Sequence, residues 1–170
     1  MRNRELVLKL AKVINIVLAA LLVLYIAALF IPYFIIDGNS VSIMIYLGWP
    51  GNYETMETLM DVKFLNIATL RYPLLGIVVA IFGIIFLLRK SGVATMIFPL
   101  FFGIYEIIGY ATDEFLKLGP QTGISAGYIV QLILAIVVLV VALFGVYVHI
   151  MEILTRTKDD FMDWDAASAR

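Results

Sequence analysis

Cysteine is absent from this 170-residue chain. That absence removes disulfides, thiolate nucleophiles and Cys-ligated metals together. Histidine occurs once, as His149. A single imidazole with one nearby carboxylate, Glu152, falls short of the ligand set that zinc normally takes, so the sequence predicts neither a metal nor a cofactor. Charge is scarce as well: 15% of residues are charged and the formal net charge is −1. With no basic stripe, nothing in the chain points to nucleic acid. The HExxH, GxSxG and P-loop signatures are missing, as is a glycine-rich dinucleotide fingerprint in proper context. No repeat points to an inverted-repeat transporter. The largest piece outside the apolar runs, Asp37–Arg71, is far shorter than the ~100 residues a soluble catalytic domain usually needs.

What remains is apolar. Hydrophobic residues make up 63% of the chain and the mean hydropathy is +1.02. Val13–Ile36 and Tyr72–Leu88 carry no charge, Ser91–Thr112 carries only Glu106, and Leu118–Met151 is uncharged throughout. A membrane span needs about 20 apolar residues at about 1.5 Å each. The expected fold class is an all-α integral membrane protein, a bundle of four transmembrane helices in one membrane domain covering 1–170. The expected spans are 8–36, 72–88, 91–112 and 124–154, with an outer loop at 37–71 and a tail at 155–170. The first apolar run is longer than a signal-peptide core and ends in Phe30–Ile36 rather than at a small-residue cleavage site, so it reads as a retained helix. If the N-terminus is inside, nine Lys and Arg lie on the inner side and only Lys63, Arg71 and Lys117 lie outside. The positive-inside rule then places both termini in the cytoplasm, and a cytoplasmic (plasma) membrane is the expected location.

The outer loop carries its own signals. Val41–Tyr46 alternates and Val62–Leu70 returns as a second extended segment, which together predict a small cap with two short strands. Between them, Gly48-Trp49-Pro50-Gly51-Asn52 is turn chemistry, and Asn52 suits the cap of a short helix over 53–60. Trp49 and Tyr53, with Tyr46 and Tyr72, read either as an interfacial aromatic belt or as an exposed partner surface. The tail reads as solvated with one frayed helical turn. Its Phe161 and Trp164, spaced i,i+3, would anchor it as a docking peptide if a partner groove exists. This arrangement of four helices, a larger first outer loop with strands and a short inner turn resembles the claudin-like tetraspan topology. The resemblance is one of layout: the paired cysteines of the claudin loop are missing and only Gly48-Trp49 is faintly similar, so it implies a fold and no residue roles.

Polar and small residues within the spans are the candidate functional positions. On the fourth span, Gly127, Gln131, Ala135, Val138, Ala142, Gly145 and His149 form one stripe, which reads as a close-packing face or as a substrate path. Gly103 on the third span and Gly76 and Gly83 on the second continue that packing pattern. Asn15 reads as an interhelical hydrogen-bonding residue and His149 as an interfacial polar one. Glu106 is the only acid well inside a span, with Tyr110 one turn away and Gln131 at a similar depth on the neighbouring helix. A charged, unpaired carboxylate there costs a few kcal/mol, so Glu106 should be paired, protonated or facing water. It reads equally as half of an interhelical hydrogen bond with Gln131 and as a proton-, cation- or ligand-binding acid. Two functions lead, and a lipid-modifying membrane enzyme ranks third. One is a non-catalytic accessory or interaction subunit bound to another membrane protein or to copies of itself. The other is a small transporter or channel component using Glu106 and Gln131.

Overall fold

The computed structural model describes residues 2–36, 38–42, 73–89, 92–111 and 122–168. Four helices and a small sheet make up this part of the chain: α1 (Arg2–Ala28), β1 (Pro32–Ile36), β2 (Asn39–Ser42), α2 (Pro73–Arg89), a 3-10 turn (Val93–Met96), α3 (Ile97–Ala111), β3 (Thr122–Ile124) and α4 (Ala126–Ser168). Each helix packs on its neighbours in sequence, and α4 closes the ring against α1. Contacts fix the alternating directions: Asn15 meets Leu87, Gly76 faces Glu106, Gly103 faces Leu139 and Gly145 faces Met96. Segments 5–28, 93–111 and 126–155 are long and apolar enough to cross a membrane, while the apolar part of α2 is shorter.

The partition of residues is inverted relative to a protein in water. Val13, Leu24, Phe101, Ile108, Ile133 and Val140 are exposed, while Asn15, Thr95, Glu106, Gln131 and His149 are buried. An apolar exterior of this extent requires an apolar solvent. The interior is completed by large side chains fitted against small ones, with Leu18, Leu22, Phe102 and Met96 beside Ala80, Ala135 and Ala142, all fully buried.

The first helix is shorter at its C-terminal end than its apolar run. Expected to reach Ile36, it stops at Ala28. The backbone then tightens through i→i+3 bonds from Leu29, Phe30 and Ile31 to the carbonyls of Ile26, Ala27 and Ala28. Pro32 has no amide hydrogen and restricts Ile31 before it, so the helix cannot continue. The chain enters β1 instead, at the centre of a three-stranded antiparallel sheet ordered β2-β1-β3. Gly38, with φ of 81°, supplies the left-handed residue in the tight connection from β1 to β2. Of the expected outer-loop structure, the first strand begins earlier, at Asn39. Residues 43–72, including Trp49, Tyr53 and the expected second strand and short helix, lie outside the described residues.

The other end of the chain also differs from expectation. The tail is helical: α4 runs without a break to Ser168, 43 residues in all. No Gly or Pro lies between Gly145 and Ser168 to stop it. Thr155 satisfies its hydroxyl locally on the carbonyls of Met151 and Glu152, at 2.9 Å each. At about 1.5 Å per residue this helix is twice as long as the ~30 Å hydrocarbon core.

Glycine positions differ sharply in what surrounds them. A Cβ on Gly127 would collide with the main-chain carbonyls of Ile31 and Pro32, and on Gly103 it would lie 2.8 Å from Leu139 Cβ and 3.1 Å from Leu139 Cα. On Gly145 it would meet the flexible end of Met96. We therefore expect Gly127→Ala and Gly103→Ala each to destabilise the protein by about 1–3 kcal/mol, with Gly145→Ala costing less than either. Unfolding midpoints of the purified variants in one detergent would show the order.

Candidate functional site

The buried polar residues form two layers at opposite ends of the helix bundle. In the layer next to the sheet, Glu106 on α3 is 2% exposed. Its Oε2 accepts a hydrogen bond from the Tyr25 hydroxyl of α1 at 2.5 Å. The Tyr25 ring stands edge-on to Phe102, which lies one turn before Glu106 on α3. Gly76 of α2 lies against the Glu106 carboxyl so closely that any side chain there would overlap it. Glu106 is thus gripped by α1, α2 and its own helix.

Gln131 of α4 is fully buried but does not bond directly to Glu106. Its Nε2 donates to the Ala28 carbonyl at 3.0 Å, and its Oε1 accepts from the Tyr110 hydroxyl at 3.1 Å. Tyr128, one turn before Gln131, donates to the Tyr110 carbonyl at 3.3 Å. Both carbonyls sit in the last turn of a helix, α1 and α3, and that of Ala28 also accepts the Ile31 N–H at 3.1 Å. Tyr33 of β1 is fully buried, with its ring 5.2 Å from that of Tyr128 and 6.1 Å from that of Tyr110. The layer is therefore closed on the sheet side by three tyrosines, and Ser125 ties α4 to the sheet by donating its N–H to the Tyr33 carbonyl.

The second layer lies where α1, α2 and α4 meet at the opposite end. Asn15 Nδ2 donates to the Leu87 carbonyl at 3.4 Å, a weak bond to the last turn of α2. Its Oδ1 faces His149 Nε2 at 3.2 Å, and His149 Nδ1 faces Glu152 Oε2 at 3.1 Å. With Asn15 Nδ2 given to Leu87, Oδ1 accepts and Nε2 carries a hydrogen. This trio borders a cleft of ≈ 490 Å³ that also has Lys12 and Arg89 in its wall.

No family model, curated protein or solved structure matches this chain. Its chemistry rests on the geometry alone.

The stripe Gly127, Gln131, Ala135, Val138, Ala142, Gly145 and His149 is buried along its whole length and faces α1 and α3. Gly83 lies against Leu22 and Phe98. Phe161 and Trp164 lie on the helical extension of α4, where the described side chains end at Thr155. The sequence reading did not assign Tyr25, Tyr33 or Tyr128 to the site. For Tyr25 a signal existed: its hydroxyl stands in the middle of an uncharged run whose other side-chain hydroxyl is that of Tyr33. Among the described residues no group of three or more His, Asp or Glu forms a metal site.

If Glu106 joins helices, removing its carboxyl should cost stability while an amide of the same shape should not. We expect Glu106→Ala to lose about 2 kcal/mol and Glu106→Gln less than about 1 kcal/mol. The Glu106→Ala and Tyr25→Phe pair should show a coupling of about 1 kcal/mol in a double-mutant cycle of detergent unfolding. Zero coupling would remove the Tyr25 bond from the account.

Proposed function

We propose that this chain is a non-catalytic tetraspan protein of the cytoplasmic membrane that serves as an accessory or interaction subunit of a membrane complex. In this reading α2 is the fourth span. Its 17 residues reach about 25 Å, a mismatch with the hydrocarbon core that local thinning and the snorkelling of Arg89 absorb. Both termini face the cytoplasm, where nine of the chain's Lys and Arg then lie. The sheet of β1, β2 and β3 lies on the outer side as part of a small cap, and the far end of α4 projects inward with Phe161 and Trp164.

The observation that carries this reading is how the interior polar groups are used. Gln131, Asn15 and Tyr128 are engaged with the carbonyl ends of neighbouring helices, and Glu106 is held by Tyr25 and walled in by Gly76. A bundle arranged this way uses its polar atoms for cohesion, and its projecting α4 and outer cap are the parts available to partners. One observation favours a transporter component instead: Glu106 is an acid buried at membrane depth, a position that by default marks an ion or proton site.

Tagged protein, purified from its native membrane in mild detergent and weighed as an intact assembly, should carry a different membrane chain in stoichiometric amount. A monomer or homo-oligomer would overturn the hetero-complex. Proton or cation flux in reconstituted vesicles that Glu106→Gln abolishes would establish the transport reading in its place.

Topology is directly testable because the chain has no cysteine to give background labelling. Single substitutions Ser91→Cys and Arg170→Cys should react with an impermeant maleimide only in inverted vesicles, and Asn66→Cys only in intact cells. Labelling of Ser91→Cys and Asn66→Cys from the same side would mean that α2 does not span.

A further inference from the structure

The cleft bounded by α1, α2 and α4 has a charge and wall composition that the cohesion of the bundle does not require. Lys12 is the last charged residue before the uncharged run of α1, and Arg89 is the first one after the run of α2. Both therefore stand at the boundary between hydrocarbon and headgroups, and both line the same cleft of ≈ 490 Å³. Both are exposed, and neither has an ion-pair partner among the described residues. The third polar wall is the Asn15–His149–Glu152 trio. The one acid in the wall, Glu152, is engaged by His149 Nδ1 at 3.1 Å, which leaves Lys12 and Arg89 as two cations facing the cleft.

The remaining wall is apolar and open. Leu8, Ile16 and Leu88 line the cleft, at 41%, 52% and 63% exposure. A small anion from water would gain nothing from these side chains, whereas an acyl chain descending from a phosphate would lie along them. We propose that this cleft binds the phosphodiester of an anionic glycerophospholipid. Lys12 and Arg89 would each hold a non-bridging oxygen by charge-assisted hydrogen bonds, while Leu8, Ile16 and Leu88 would receive the upper part of the acyl chain. Basic pockets between membrane helices at headgroup level recognise such lipids on the same physical grounds. The inference rests on the chain lying in a bilayer and is independent of which protein, if any, it binds.

Native mass spectrometry of the detergent-purified full chain tests it, with dioleoyl-phosphatidylglycerol and dioleoyl-phosphatidylcholine titrated separately. Phosphatidylglycerol should bind more tightly. Lys12→Gln and Arg89→Gln should each weaken it about fivefold, and the double variant about 30-fold, at about 1 kcal/mol per surface cation. Lys9→Gln should leave it unchanged, since Lys9 already pairs with Glu5 at 2.7 Å and does not line the cleft. Phosphatidylcholine, whose choline cation offsets the same phosphodiester charge, should bind more weakly and lose less on Lys12→Gln and Arg89→Gln than phosphatidylglycerol does. Equal affinity for the two lipids, or wild-type binding by single variants that keep the wild-type unfolding midpoint, would overturn the proposal. So would displacement of the lipid by millimolar glycerophosphate, which would make a soluble phosphate compound the ligand.

Discussion

A helix that ends near or inside a membrane leaves its last carbonyls without amide partners, and lipid supplies none. In this protein side chains of neighbouring helices reach three such ends, at Ala28 in addition to the 3.1 Å bond from the Ile31 N–H. Gln131 on α4 donates to the end of α1, Tyr128 on α4 donates to the end of α3, and Asn15 on α1 donates to the end of α2. Each bond is individually modest, but each crosses from one helix to another and so fixes depth and rotation as well as proximity. Apolar packing alone would not do this, since side chains from neighbouring helices lose little by exchanging one another for lipid.

The same constraint explains where small residues are needed. Gly127 lets α4 approach the carbonyls of Ile31 and Pro32 where α1 has given way to β1, which brings Gln131 within reach of Ala28 one turn later. Gly76 makes room for the Glu106 carboxyl, and Gly103 lets α3 come within contact of the Leu139 backbone, keeping Tyr110 close to Gln131. Close approach and polar satisfaction are thus coupled: enlarging the small residue would displace the donor. The tyrosines add area to this arrangement. Tyr33, Tyr110 and Tyr128 come from a strand and two helices, and their rings pack where the sheet meets the bundle.

The two polar layers differ in what is left over. Next to the sheet, Glu106 and Gln131 are enclosed by aromatic rings and glycine backbone. At the opposite end, the Asn15–His149–Glu152 trio borders an open cleft whose two cations have no ion-pair partner among the described residues. Cohesion accounts for the first layer. The second has Lys12 and Arg89 beside the exposed apolar side chains of Leu8, Ile16 and Leu88.

By itself the sequence determined the solvent and the helices. Long uncharged runs with charges between them exceed what a soluble core tolerates, and the periodic stripe of small residues on α4 marks its inward face, because close approach demands small side chains wherever the neighbours lie. It also singled out Glu106, Gln131 and Asn15, since a polar atom in such a run must find a partner. Tertiary structure decided which partner. Equal depth suggested Glu106 with Gln131, yet the rotation of the helices turns Glu106 toward Tyr25 and Gln131 toward Ala28 and Tyr110. Pro32 marked in the sequence where α1 could end, but only the fold turned Pro32–Ile36 into a strand, because β2 and β3 offer it a ladder. Only the fold could bring Lys12, Arg89 and His149 together, since they come from three helices and their convergence depends on packing angles that no local pattern encodes.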